Sequence, residues 1–173
     1  AEEIAAGRAL WKGLHEAPRR DRPDMPLKNT SNTDVAFHDG KLVTMWYLAG
    51  GMYHLDPMTL ETLGPARFDG AGALRASAHS KVDERTGEFL FFDYGKEAPY
   101  MHYGVIGRDG VLAHRIPVEL PGPRLPHDMA FTEHYAILHD FPLVYDDDAL
   151  AAGRHKLRFH ADRPTRFAVV PRR

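Results

Sequence analysis

The fold class this sequence predicts is all-β, and three observations carry it. Glycine and proline, 15 and 13 in number, are spread over all 173 residues rather than gathered in one linker. They separate short apolar runs, with turn signals roughly every eight to twelve positions, which is how sandwiches, barrels and propellers read. The third observation is a spacing. His79 and His127 each open a strand–turn–strand passage and stand 48 positions apart, and a four-stranded propeller blade occupies about 40–50 residues. Equivalent positions of successive blades face the central axis. The spacing therefore favours a propeller, although sandwiches tolerate similar intervals.

Taken in order, residues 4–14 carry apolar side chains at Ile4, Leu10, Trp11 and Leu14 and predict a helix. Lys41–Trp46 reads as a strand, Gly50-Gly51 as a turn and residues 52–55 as the returning strand. Asp56-Pro57 and Gly64-Pro65 break the chain. After the turn signal Arg85-Thr86-Gly87, Glu88–Tyr94 is a Phe-rich strand whose Leu90, Phe91 and Phe92 belong to the core. Residues 100–106 and 111–118 flank Arg108-Asp109-Gly110 and predict an antiparallel pair. Further strands are expected at 127–132, Tyr135–Asp140, Leu143–Tyr145 and 167–170. Residues 147–153 begin with Asp and end with Gly, as a single helical turn does. Asp146-Asp147-Asp148 lies at its N-terminus, where negative charge is favourable, and lacks the glycine and distal glutamate of a calcium loop.

Composition narrows the chemistry. The chain has the length of one domain, and 22 basic against 24 acidic residues give a net charge of −2 without long runs of one sign. That argues against a nucleic-acid footprint. No apolar stretch approaches the roughly 18–20 residues that cross a bilayer, and no signal-peptide pattern is read, so a cytoplasmic location is expected. There is no cysteine, which removes disulfides, thiolate nucleophiles and zinc–sulfur sites together. With 11 histidines, a metal held by nitrogen is the first candidate. Gly50-Gly51 is no phosphate loop, since neither GxGxxG nor a Walker pattern occurs.

The passage Ala78-His79-Ser80-Lys81-Val82-Asp83, followed by Thr86-Gly87-Glu88 and Leu90-Phe91-Phe92, resembles the segment of carotenoid cleavage oxygenases that supplies the first iron-binding histidine. In that family the residue after the histidine is usually proline; here it is Ser80. The stretch from Leu120-Pro121-Gly122 through Pro126-His127-Asp128-Met129-Ala130-Phe131-Thr132, with Tyr135 and Asp140, resembles the segment that supplies the second. Weaker similarities run through Asn29-Thr30-Ser31-Asn32-Thr33, Leu55-Asp56-Pro57, and Arg163-Pro164-Thr165-Arg166-Phe167. Asp93-Tyr94-Gly95 and Ala98-Pro99-Tyr100 are nearest to bacterial members that include lignostilbene dioxygenases.

The resemblance covers nearly the whole chain and implies part of a seven-bladed β-propeller, about three to four blades' worth of antiparallel meanders. Residues 1–173 are then one incomplete propeller segment of a longer oxygenase domain, with the remaining blades or another chain covering the exposed edges. It implies Fe(II) as cofactor, with His79 and His127 as two of four histidine ligands and the other two outside this sequence. The implied reaction inserts O₂ across a carbon–carbon double bond of an apolar polyene or stilbene and gives two carbonyl products. No protein nucleophile is needed, and an apolar, aromatic tunnel suits such a substrate. The family also allows for peripheral membrane contact.

Two departures from the family bear on the site. Metal-bound histidines donate their second ring N–H to an outer acceptor, and the glutamate that often serves is replaced here by Tyr47. Trp46 stands where lignostilbene-cleaving members tend to have a lysine that helps bind the substrate phenol. Trp46 is a candidate for the substrate wall, with a core role the simpler reading. For His79 the simpler reading is a turn residue beside Asp83, and for His127 a loop residue ordered by Pro126. His38, His54, His102, His114, His134, His139, His155 and His160 match no family ligand and read as surface or turn histidines, with His139 alternating with Ile137 on a strand. The alternative function is a catalytically inactive propeller fragment with an incomplete metal site.

Overall fold

The structure, a computed structural model, describes residues 2–13, 16–17, 19–22, 25–152, 154 and 156–173. It opens with a short helix α1, Glu2–Ala6. The helix predicted over 4–14 stops there because Gly7 adopts the left-handed conformation at φ 60°, which ends helices readily. The Glu3 carboxylate then accepts the Leu10 N–H at 2.9 Å. Leu14 lies outside the described residues.

The first sheet contains β1 (Thr33–His38), β2 (Lys41–Trp46), β4 (Tyr53–Leu55) and β5 (Thr62–Pro65), all antiparallel in the order β1-β2-β4-β5. Between β2 and β4 the chain makes β3, Gly50–Gly51, which pairs with β6, Arg75–Ala76. The expected turn at Gly50-Gly51 is therefore a strand. The turn falls just before it, where Ala49 at φ 54° donates its N–H to the Trp46 carbonyl. Glycine serves close approach at position 50: a Cβ there would lie 2.7 Å from Asn29 Nδ2 and from Trp46 Cε3. Gly64-Pro65 does not break the chain either. It ends β5 at the sheet edge, where a missing N–H leaves no ladder bond unmade.

The second sheet holds β7 (Lys81–Asp83), β8 (Glu88–Tyr94), β9 (Met101–Ile106) and β10 (Leu112–Pro117), in the order β10-β9-β8-β7. Its turns fall where the sequence puts them, with Gly87 and Gly110 both at φ 77°. The third contains β11 (Ala130–Phe131), β12 (Tyr135–Asp140) and β15 (Arg166–Pro171). A hairpin of β13 (Leu143–Tyr145) and β14 (Leu157–Phe159) is inserted between β12 and β15. The helix α2, Asp147–Ala151, lies within that insertion and is capped by Asp146, whose carboxylate accepts the Ala149 N–H at 3.0 Å. The end expected at Gly153 lies outside the described residues, as does His155. No helix among the described residues is long and apolar enough to cross a membrane.

Every side chain of β8 is buried, and period-two alternation sends them to opposite sides. Phe89 and Phe91 pack with Val43, Met45 and Phe68 of the first unit, while Leu90, Phe92 and Tyr94 pack with Met101, Tyr103 and Leu138 toward the third. Each buried phenylalanine contributes about 1.5–3 kcal/mol, so β8 is the seam that stacks the sheets as blades. The second and third sheets are also clasped by Arg172. Its guanidinium meets Asp83 at 2.9 Å and Glu88 at 2.6 Å. The outward sides of the first and third sheets carry exposed Val35, Phe37, Phe167 and Val169.

Two histidines read as surface residues are buried. His38 is enclosed beside Phe68 and Phe89, and its Nε2–H donates to the Gly107 carbonyl at 3.0 Å. His139 is buried on β12 with its ring stacked on Phe141. In both cases the ring's apolar body packs beneath a neighbouring element while one nitrogen makes a hydrogen bond, an arrangement that sequence alternation alone does not reveal.

Candidate metal centre

His79 and His127 precede the first strands of the second and third sheets, β7 and β11, and so occupy equivalent places in successive blades. Their rings come together: the centroids are 5.0 Å apart and the planes 33° from parallel. Two imidazoles sharing one ion, with metal–nitrogen bonds of about 2.1 Å, have ring centres roughly 4.5–5 Å apart. The pair fits a metal in spacing and in donor type.

The His79 arm is held by a conformation that few side chains adopt. The residue sits at φ 67°, a left-handed setting that costs a residue with a Cβ roughly 1–2 kcal/mol. Asp34 on β1 offsets this. Its Oδ2 accepts the His79 backbone N–H at 3.2 Å and the ring Nδ1–H at 3.1 Å. A carboxylate on Nδ1 fixes the tautomer that leaves Nε2 with a free lone pair. Ser80, in place of the family's proline, donates its hydroxyl to the Ser77 carbonyl at 2.9 Å and closes the same turn.

The His127 arm is a loop pinned from three sides. Arg124 donates Nε–H to Asp140 on β12 at 2.9 Å, an ion pair with about a tenth of either side chain exposed. His139 Nε2 accepts the Asp128 backbone N–H at 3.2 Å, so His139 carries its proton on Nδ1. Burial pulls the His139 imidazole below its ordinary pKa, with the neighbouring His127 acting in the same direction. Lys81 Nζ then meets Asp128 Oδ1 at 2.7 Å, tying the two histidine arms together. Burial opposes ionisation of Asp128, but hydrogen bonds from Lys81 and the Met129 N–H outweigh it and hold the carboxyl below its usual range.

The sequence brought forward both histidines but not Asp34, which lies 45 positions before His79 and meets it only through the packing of β1 against the second blade. Tyr47, standing where the resemblance puts an outer glutamate, is not the acceptor found on His79. Its carbonyl accepts the Ser77 and Tyr94 hydroxyls, and burial raises its own phenol pKa. Trp46 is half-buried and lines a cleft of about 670 Å³. Its carbonyl accepts the Ala78 N–H at 3.3 Å, one residue before His79. Among the described residues no group of three or more His, Asp or Glu side chains forms a metal cage.

Comparison with known proteins shows the family. The family model described as RPE65, retinal pigment epithelial membrane protein, matches residues 1–173. A carotenoid 9,10(9′,10′)-cleavage dioxygenase of Crocus sativus is 35% identical over 147 residues, covering 83% of this chain and 27% of that protein. The crystal structure of Pseudomonas brassicacearum lignostilbene dioxygenase superposes with a TM-score of 0.80 at 34% identity, covering 98% of this chain and 36% of the other. A cobalt-substituted Synechocystis apocarotenoid oxygenase superposes with a TM-score of 0.79 at 25% identity, covering 99% of this chain and 39% of the other. The chain thus spans between about a quarter and two fifths of the length of these relatives. Its sheets are blades of a β-propeller, and the chain belongs to the RPE65 family, that of the carotenoid and lignostilbene cleavage oxygenases.

Proposed function

We propose that residues 1–173 are one segment of a longer Fe(II)-dependent dioxygenase that cleaves a carbon–carbon double bond of an apocarotenoid or stilbene-like substrate. The reaction consumes O₂ and gives two carbonyl products. The observation that carries this reading is the convergence of His79 and His127, at 5.0 Å, from equivalent places in successive blades. The names of the relatives, carotenoid and lignostilbene dioxygenases, support the reaction class, and the cobalt-substituted relative supports a metal cofactor.

His79 and His127 would hold the iron through neutral imidazole nitrogens, with further ligands from outside these residues. When bound, Fe(II) supplies the activation of O₂ that no side chain here can perform. The chain's own contribution is orientation. Asp34 keeps the proton of His79 on Nδ1, His139 and Arg124 set the height of the His127 loop, and Lys81–Asp128 fixes the separation of the arms. The half-buried Trp46, one backbone hydrogen bond from the His79 turn, supplies apolar wall for an alkene.

The test uses the full-length protein. Iron content is measured for the wild type and for His79→Ala and His127→Ala, and cleavage of polyenes and stilbenes is followed with isotopically labelled O₂. Iron at one equivalent, lost in both variants, with label in the carbonyl products is the expected result. An iron-loaded wild type that cleaves neither substrate class would overturn the reading.

A further inference from the structure

A small pocket of about 220 Å³ lies at one end of the third sheet, and its charges do not balance. Asp140, the last residue of β12, stands in register with Arg166, the first of β15. Arg124, from the loop before β11, and Arg163, from the turn between β14 and β15, complete the charged lining. Three guanidiniums thus surround one carboxylate, an excess of two positive charges. Asp162, the acidic residue next to Arg163, does not line the pocket; it is 84% exposed and its ion-pair partner is His160, at 4.0 Å.

One arginine is enough for Asp140. Arg124 donates Nε–H to its Oδ1 at 2.9 Å. Arg166 Nη1 stays 3.7 Å from Oδ2, beyond hydrogen-bond distance, with its side chain 61% exposed, and such a pair is worth little. The Arg163 side chain has no ion-pair or hydrogen-bond partner among the described residues. Arg124 itself is underused. Its side chain is only 9% exposed, yet it meets protein oxygens through Nε and, at 3.4 Å, through Nη1 alone. The two Nη2 donors have no acceptor among the described residues. A buried guanidinium with unspent donors is costly, and further cations beside it add to the cost.

The pocket is shaped before anything enters it. Pro121, Pro142 and Pro164 form part of its wall, and their rings fix the local backbone. Guanidiniums pair through two parallel N–H bonds with phosphate or carboxylate oxygens. The excess of two charges selects between these, because a phosphate monoester is close to a dianion at neutral pH whereas a carboxylate carries one charge. The volume leaves room for a phosphate group with a few waters, at about 30 Å³ of liquid each.

We propose that Arg124, Arg163 and Arg166 form a binding site for a dianionic phosphate group, free or as a monoester. The site goes beyond the oxygenase reading and stands whether or not the protein cleaves an alkene. It shares Arg124 with the set of contacts that pins the His127 loop, so it lies behind one arm of the candidate metal centre.

Binding is measured by calorimetry on the full-length, metal-free protein at pH 8 and constant ionic strength, with inorganic phosphate as the probe and acetate as its singly charged counterpart. One phosphate per chain is expected, bound at least fivefold more tightly than acetate. Arg163→Ala and Arg166→Ala should each weaken phosphate about fivefold, the upper end for an exposed charge pair. Arg158→Ala removes the same charge from β14, outside the pocket and 64% exposed, and should leave the affinity within twofold. All three side chains are solvent-exposed, so thermal melts should coincide with the wild type. Vesicles of phosphatidylcholine with and without phosphatidic acid separate the two sources of the group. Binding of free phosphate marks a soluble ligand, and capture by phosphatidic acid alone, lost in Arg163→Ala, marks a lipid headgroup; either supports the site. No saturable binding of either, equal affinity for acetate, or equal weakening by Arg158→Ala overturns it.

Discussion

Replacing Asp34 by alanine removes the one acceptor that holds His79 by both its backbone N–H and its ring Nδ1–H. Loss of such a partner ordinarily costs ten- to a hundredfold in metal affinity, about 1.4–2.7 kcal/mol. The structure places Asp34 at the lower end of that range. Its bonds are 3.1 and 3.2 Å long, and the His79 and Asp34 side chains are 26% and 34% exposed, so water can replace part of what is lost. The expected effect of Asp34→Ala is therefore a fall of about tenfold in iron affinity. Asp34→Asn, which still accepts one bond, should fall less. Competitive titration of the full-length protein against a chelator measures both. A parallel thermal melt of the metal-free forms separates affinity from folding, because Asp34 is a half-exposed residue on β1. Iron affinity within twofold of wild type for Asp34→Ala would refute the idea that this carboxylate orients the ligand.

Two further outcomes concern stability. Arg172→Met strands Asp83 and Glu88, whose side chains are 10% and 5% exposed, and removing one partner from a buried ion cluster costs about 3–5 kcal/mol. Chemical denaturation should show a loss of that size, and a change below about 1 kcal/mol would mean that Arg173, which also reaches Glu88, suffices alone. The second concerns pH. Burial holds the imidazoles of His38, His54 and His139 below their ordinary pKa, so the unfolded chain binds these protons first as the medium is acidified. Their contribution is complete above the unfolded value of about 6.5 and declines as pH falls through the folded values. Denaturation midpoints should therefore drop from pH 7.5 to 5.5, and a flat or rising profile would contradict the assignment.

What the sequence shows and what it conceals divide along physical lines. β2, β8, β12 and β13 fall on the residues expected, because each is a short apolar run bounded by turn chemistry that acts locally. Gly50–Gly51 reads as a turn because the dipeptide locally favours one, whereas its pairing with Arg75–Ala76 spans a loop. β1 carries local signals too, the polar stretch Asn29-Thr30-Ser31-Asn32-Thr33 before it and Asp39-Gly40 after it, but the outward facing of its Val35 and Phe37 is settled only by packing. The histidine pair of the candidate centre was legible from motif and spacing. Asp34, the ion pair Lys81–Asp128 and the support from His139 were not, since each depends on side chains that meet only when separate blades stack. Nor does spacing reveal the hydrogen bonds that join Asp93, His102 and Arg115, which come from three neighbouring strands.

The left-handed backbone at His79 sets local comfort and the proposed ligand duty against each other at a single residue. Glycine would occupy φ 67° without strain, so the substitution that deletes the imidazole is also one that relaxes the turn. At most buried positions losing a large side chain weakens the fold, and stability alone guards the residue. At position 79 that guard is slight, because the ring's bond to Asp34 is set against the relief of the turn. If the proposed metal is what the ring serves, a copy freed from it would give up only the ring's bond to Asp34 in exchange for a relaxed turn on replacing His79 by glycine.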